Sequence, residues 1–243
     1  KRMLVILSYK TIRQAATDSA RIVNLKPSAL EIVDSNIAKH IKTRLTKNPS
    51  CLLFVEFDDE LDKCKKNLRG VISNAHIVNM LTSEHEIKKW WYFRNSALSY
   101  SLRSITAKES MPTIIEDATV PIGKLAMLVD IIEKISKKHK MRFVLYGHAG
   151  NGNLHIRPIL KGKNKKKMRS IAKEFFSQVV SIGGSITGEH GDGLARSEFV
   201  RLQYGKDVYS TFRKIKNKFD PKNILNPDKI ITSKHMMTEN LKI

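Results

Sequence analysis

The sequence predicts an α+β fold: a ferredoxin-like antiparallel sheet with helices on one face, followed by a C-terminal helical segment. Three observations point there. Short apolar runs alternate with stretches of helical periodicity in the order strand–helix–strand, then helix–strand. A second pair of strands flanks a glycine-rich turn. A last helical stretch stops at Asp220-Pro221, where the proline ring ends it.

Met3–Tyr9 (MLVILSY) is a continuous apolar run and reads as a buried strand. Residues 11–23 read as a helix, with Ile12, Ala15, Ala16, Ala20 and Val23 near helical spacing. Cys51–Phe57 (CLLFVEF) is the second strand. Asp58 or Asp59 is placed to cap the next helix, where Leu61, Cys64, Leu68, Val71 and Ile72 form one apolar stripe. His76–Leu81 is a weaker strand. Ser83-Glu84-His85-Glu86 has the form of a capping box, which opens a long helix to Arg103. Pro121 suits the first turn of a helix running to about His139. Residues 142–146 and 154–159 are strands. The lysine-rich segment 161–169 reads as a solvated loop entering a helix that ends near Gly183-Gly184. Residues 205–219 form the last helix, and 232–243 read as a frayed tail.

Composition narrows the class. Of 243 residues, 41% are hydrophobic and 28% charged, which fits a globular chain and excludes disordered and collagen-like ones. No apolar stretch approaches the ~18–20 residues of a transmembrane helix. Two cysteines, Cys51 and Cys64, give no disulfide framework, so the expected location is cytoplasmic, with peripheral attachment at the inner face of a membrane as a variant. Cys64 lies on an apolar stripe and reads as core filler. The chain opens Lys1-Arg2-Met3 and enters a strand at once, so it reads as a piece of something longer.

The formal net charge is +21, from 44 basic and 23 acidic residues. That is the footprint of a nucleic-acid binder. Aromatic content is only 7% and the Trp90–Trp91 pair lies on a helix, so no stacking platform accompanies the charge. Nucleic acid is therefore the disfavoured partner. A positive field also steers small anions.

Two segments carry chemistry. The first, 146–155, reads Tyr-Gly-His-Ala-Gly-Asn-Gly-Asn-Leu-His. Asn151-Gly152 signals a two-residue hairpin turn. In that register His148 faces His155, with Cβ atoms about 4.5–5.5 Å apart. Two imidazoles that close on one face can chelate one metal ion. The second segment, 183–193, has five glycines in eleven residues, which permit close backbone approaches. Glu189 is a candidate third ligand, and His190 a neighbouring acid or base. Two histidines and one carboxylate leave positions open for a substrate. The segment lacks the Gly-Lys-Ser/Thr ending of a phosphate loop, and no GxGxxG fingerprint follows a strand.

YGHAGNGNLH, GGSITGEHGDGLAR and FDPKNILNP, in that order, resemble the C-terminal domain of FAD-linked oxidases of the vanillyl-alcohol-oxidase-like superfamily. Within it, the chain resembles the D-lactate, glycolate and D-2-hydroxyglutarate dehydrogenases. The likeness includes Pro27-Ser28-Ala29-Leu30-Glu31, Trp91-x-x-Arg94, and Glu116-Asp117 with Val120-Pro121. GEHGDGLAR resembles the branch often fused to an iron–sulfur domain. Asn151 stands where most relatives have Asp, and Asp228 where Gly is common.

The resemblance implies a substrate or cap domain over 1–231, a flexible tail over 232–243, and FAD held mainly by an N-terminal domain absent from this chain. His148, His155 and Glu189 would be ligands of a divalent metal, zinc or manganese, and His190 the base. Arg94 and Asn153 would contact the substrate carboxylate or its neighbourhood. Asn226 lies where the family's C-terminal end returns to the flavin. Arg196 is added as a candidate anion contact. The implied reaction oxidises a 2-hydroxy acid to the 2-oxo acid, with hydride passing to FAD. Electrons then leave to a cytochrome, quinone, electron-transfer flavoprotein or iron–sulfur partner.

Plainer readings stand beside these. Arg94 fits a surface arginine stacked on indole. Arg196 fits a structural pair with Glu189 or Asp192. Asn226 fits a turn former. A stand-alone zinc hydrolase would use the same ligands, but neither a nucleophile elbow nor an HExxH helix supports it.

Overall fold

A computed structural model describes residues 1–40, 51–232, 234–239 and 241. Continuous apolar runs make the middle of its sheet. Strands β1 (Met3–Tyr9), β2 (Ala29–Asp34), β3 (Cys51–Phe57), β4 (His76–Leu81), β5 (Glu109–Ser110), β6 (Ala118–Thr119), β7 (Arg142–His148) and β8 (Asn153–Lys161) are ordered β4-β1-β3-β2-β7-β8-β5, with β6 also on β8. Every pairing among them is antiparallel. β1 and β3 pair over their full length, from Met3↔Phe57 to Tyr9↔Cys51.

All seven residues of β3 are buried. A strand apolar on both sides needs cover on both faces. Val5, Leu7, Leu53 and Val55 face a layer of α1 (Ile12–Ile22), α3 (Leu61–Val71), α6 (Leu125–His139) and α7 (Lys165–Ser181). Leu4, Ile6, Leu52 and Phe54 face α2 (Ser35–Ala38), α4 (Glu84–Asn95) and α5 (Ala97–Leu102). The α+β class, the antiparallel sheet and the C-terminal helix stand as expected. The helices, however, cover both faces of the sheet rather than one.

Local boundaries shift where tertiary contacts outweigh sequence signals. The helix expected to reach Arg103 divides at Ser96, whose hydroxyl bonds back to the Tyr92 carbonyl. Ser83 precedes α4 but makes no side-chain cap. Glu60, in a left-handed conformation, precedes α3, and Asp59 accepts from its N–H. A short helix α8 (Gly193–Arg196) precedes α9 (Val200–Phe219), which is kinked at Gly205, the residue where the last helix was expected to begin. The tail expected over 232–243 is pinned part-way. Met237 and Thr238 are buried, and Arg169 donates to the Thr238 hydroxyl at 3.3 Å. No described helix is long and apolar enough to cross a membrane. Burial pushes both thiols up, so Cys51 and Cys64 are poor nucleophiles.

Asp34 ends β2 and caps α2 by accepting from Ile37 N–H. It also accepts from Leu145 N–H and the Asn36 amide. Burial outweighs these donors and pushes its carboxyl up to about 6. The folded chain therefore binds this proton more tightly than the unfolded chain, where an Asp titrates near ~3.9. The stability it contributes is present at low pH and is lost as pH rises from about 4 through about 6. Carboxyl 13C shifts should show Asp34 titrating near pH 6; an ordinary midpoint near ~3.9 would contradict this packing.

Candidate functional site

The site residues gather on the α4-covered face of the sheet, beyond its apolar part. The β7–β8 turn differs from the two-residue hairpin expected at Asn151-Gly152. Ala149–Asn151 form a 3-10 turn, so His148 pairs with Asn153 and His155 with Tyr146. Tertiary packing sets this register. Ala149 is fully buried, and Gly152 (φ 67°) lies so close to β6 that a Cβ would come 2.0 Å from the Val120 carbonyl oxygen. His148 and His155 are thus diagonal neighbours rather than directly opposed. They still share a face, with ring centroids 5.3 Å apart.

The glycine-rich segment reaches these histidines because Asp117 holds it. Thr119 and Ser185 exchange backbone hydrogen bonds, which starts the segment against β6. Asp117, fully buried, then accepts from the N–H groups of Gly188, Glu189 and His190, the Thr187 hydroxyl and the Asn153 amide. Burial alone would raise its carboxyl; these donors reverse that and bring it to about 2. Gly188 is required here, since a Cβ would lie 2.1 Å from Thr119 Oγ1.

Glu189 is thereby aimed at three rings. Its Oε1 lies 3.3 Å from His148 Nε2, 3.2 Å from His155 Nε2 and 3.5 Å from His190 Nε2. His155 and His190 stack with centroids 5.1 Å apart. Carboxylates stand behind two of the rings. Glu31 Oε1 is 2.7 Å from His148 Nδ1, and Glu116 Oε1 is 3.7 Å from His190 Nδ1. Burial first, then the neighbouring His148 and His190, push His155 down to about 4, so it is neutral at neutral pH. The hydrogen bond to Glu31 raises His148.

The donor set fits a divalent ion. Two ligands each about 2.0–2.2 Å from a tetrahedral ion stand roughly 3.3–3.6 Å apart. That is close to the separation of His148 and His155 from Glu189. Ligand atoms of Asp117, His155, Glu189 and His190 also lie within 4.8 Å of one another. Asp117 is already committed to the loop, while His148 joins the group through Glu189.

The other expected contacts fall differently. Arg94 is bound to Glu31 at 2.5 Å, and so touches the cluster through that carboxylate. Asn153 is buried against Asp117, Ala118 and Thr119. Arg196, expected to be an anion contact, is buried and spends its donors on the Gly191 and Glu116 carbonyls and on Asp117. Its ion-pair partner is an internal acid, as in the plainer reading, though it is Asp117; the Asp192 carboxyl also feels its charge. Asn226 sits exposed in a left-handed turn and accepts from Lys229 N–H. Among the described residues, no hydrogen bond or ion pair joins it to the histidines. Glu31, Glu116 and Asp117 were given no role from the sequence, although all three lie within the motifs of the resemblance.

A family model for FAD linked oxidases, C-terminal domain, matches residues 1–230. The chain belongs to this family. Glycolate oxidase subunit GlcD of Bacillus subtilis (strain 168) is 30% identical over 242 residues, covering 95% of this chain and 51% of that protein. The mitochondrial cytochrome D-lactate dehydrogenase of Kluyveromyces lactis is 26% identical over 243 residues, covering 93% of this chain and 42% of that protein. The chain thus spans about half the length of the relatives it matches. 4-Ethylphenol oxidase from Gulosibacter chungangensis shares the fold at a TM-score of 0.61 and 12% identity, covering 96% of this chain and 54% of that one. In this FAD-oxidase C-terminal domain, the titratable cluster draws on positions 31, 116–117, 148–155 and 189–190, so only folding assembles it.

Proposed function

We propose that this domain is the substrate-binding half of a flavin-dependent dehydrogenase that oxidises a D-2-hydroxy acid of the lactate, glycolate or 2-hydroxyglutarate type to the 2-oxo acid. The observation that carries the reading is the convergence of three imidazole Nε2 atoms on one oxygen of Glu189. The names of the relatives supply the substrate class.

His148, His155 and Glu189 would hold a divalent ion, zinc or manganese, which lowers the pKa of a bound hydroxyl and fixes the substrate. A flavin carried by an FAD-binding domain or subunit would accept the hydride from Cα. His190, at the exposed edge of the cluster, takes the hydroxyl proton as the C–H bond breaks and C=O forms. Arg94 offers a planar, permanently charged group to the substrate carboxylate from beside Glu31. Asn153 and Arg196 keep the 187–190 loop in place through Asp117. The electrons would then leave to a cytochrome, quinone, electron-transfer flavoprotein or iron–sulfur partner.

The test has two arms. Elemental analysis of the purified chain should find zinc or manganese, lost in His148→Ala. Supplied with an FAD-binding domain, the chain should support dye reduction by D-lactate, glycolate or D-2-hydroxyglutarate. A chain that retains no metal, or that hydrolyses esters with no flavin present and reduces no dye, overturns the reading.

A further inference from the structure

Glu31 lies on β2, outside both glycine-rich segments, yet both its carboxylate oxygens are engaged at the site. The β2–β7 ladder pairs Ile32 with Gly147 and Val33 with Tyr146, so its next step sets Glu31 opposite His148. Oε1 is 2.7 Å from His148 Nδ1, and Oε2 is held by Arg94 at 2.5 Å. Both the Arg94 and Glu31 side chains are largely buried, at 11% and 14% exposure, so solvent competes little for either bond.

Carboxylates only accept hydrogen bonds, and His148 meets one on each ring nitrogen; the Glu31 contact at 2.7 Å is the closer, against 3.3 Å from Nε2 to Glu189, so it claims the single proton of the neutral ring for Nδ1. Nε2, the atom 3.3 Å from Glu189, then presents a lone pair. An imidazole protonated at Nε2 would instead block the ligand atom. We infer that Glu31 is a positioning residue that fixes His148 in the Nδ1–H tautomer, with Arg94 anchoring the carboxylate. This rests on the reading of His148 as a metal ligand.

Arg94 also decides what a substitution does. Its guanidinium has donors only. In Glu31→Gln the single amide oxygen is drawn to Arg94, which turns the NH2 group toward His148 Nδ1. That nitrogen must then accept, and the proton moves to Nε2. The isosteric change is expected to invert the tautomer rather than merely loosen the ring. Removing such an outer partner of a metal-ligating histidine typically costs about 10–100-fold in metal affinity.

The test uses the full chain at alkaline pH, where the rings are neutral. Long-range 1H–15N spectra, with His148 assigned by its loss in His148→Gln, should show the Nδ1–H form in the metal-free wild type. Glu31→Gln should show the Nε2–H form, and Glu31→Asp should retain the Nδ1–H form at least in part. Titration with Co2+, read by its visible absorption, should weaken about 10–100-fold in Glu31→Gln. Wild-type His148 found as Nε2–H, or a variant with unchanged tautomer and unchanged Co2+ affinity, overturns the role of Glu31. A wild type with the expected tautomer that binds no Co2+ supports the role of Glu31 and defeats the metal reading instead.

Discussion

Asp117→Ala is expected to lower the melting temperature of the chain by roughly 6–20 °C and to abolish metal retention. The thermal figure follows from about 3–5 kcal/mol for removing one partner of a buried charged network, at about 2–4 °C per kcal/mol in a chain of this size. Three backbone N–H groups, the Thr187 hydroxyl, the Asn153 amide and Arg196 all lose their acceptor together. An unsatisfied buried donor costs about 1–3 kcal/mol, so the loop would relax toward water rather than keep them all. Relaxation moves Glu189 away from the rings, which couples the stability loss to the metal loss. Asp117 also has φ 75°, a region costly for Ala but open to Asp and Asn. Asp117→Asn therefore isolates the carboxylate, with an NH2 group now facing donors, and should fall between wild type and Asp117→Ala. Thermal unfolding with elemental analysis checks both variants. A shift of under about 2 °C in Asp117→Ala, less than 1 kcal/mol in a chain of this size, would show that the loop does not depend on this residue.

Much of this was legible in the sequence, for identifiable reasons. Strands β1 and β3 are continuous apolar runs bounded by polar residues, and no helical pattern competes with them. The same runs carried the information that both faces need cover, which the one-sided arrangement overlooked. His148 and His155 were paired correctly as neighbours on one face but in the wrong register. Asn-Gly is a local signal, whereas the true turn is set by contacts of Ala149 and Gly152 with the rest of the fold. The helix end at Ser96 was missed for a similar reason, since helical periodicity runs on across it, whereas Gly205, where the last helix was expected to begin, is the kink within α9.

The carboxylates were the hidden part. Apart from their place in the motifs of the resemblance, nothing in the local sequence distinguishes Glu31 or Asp117 from the chain's other acidic residues. Glu31 owes its role to strand pairing with a residue 117 positions away. Asp117 reaches N–H groups 71 to 73 positions away. Arg196 shows the reverse case. Its position in Gly193-Leu194-Ala195-Arg196, just after the glycine-rich segment, suggested an open anion contact, yet buried Asp117 claimed it.

The remaining large effect separates ligand from base. Glu189→Ala is expected to lose metal and activity together, whereas His190→Gln should keep the metal and lose about 10²–10⁴-fold in kcat, the usual contribution of a general base. The geometry supports different outcomes for adjacent residues. Glu189 Oε1 is the atom on which all three rings converge, so its removal leaves no common ligand. His190 reaches the cluster from the exposed edge, and its backbone N–H stays bonded to Asp117 whatever its side chain. Behind it, Glu116 is held by Arg157 at 2.8 Å and lies 3.7 Å from Nδ1. Metal analysis alongside dye reduction, in the chain assembled with an FAD-binding domain, distinguishes the roles. If His190→Gln loses metal as completely as Glu189→Ala, His190 belongs among the ligands. The proton acceptor must then be sought among the remaining bases of the cluster, of which His148 already has Glu31 behind it.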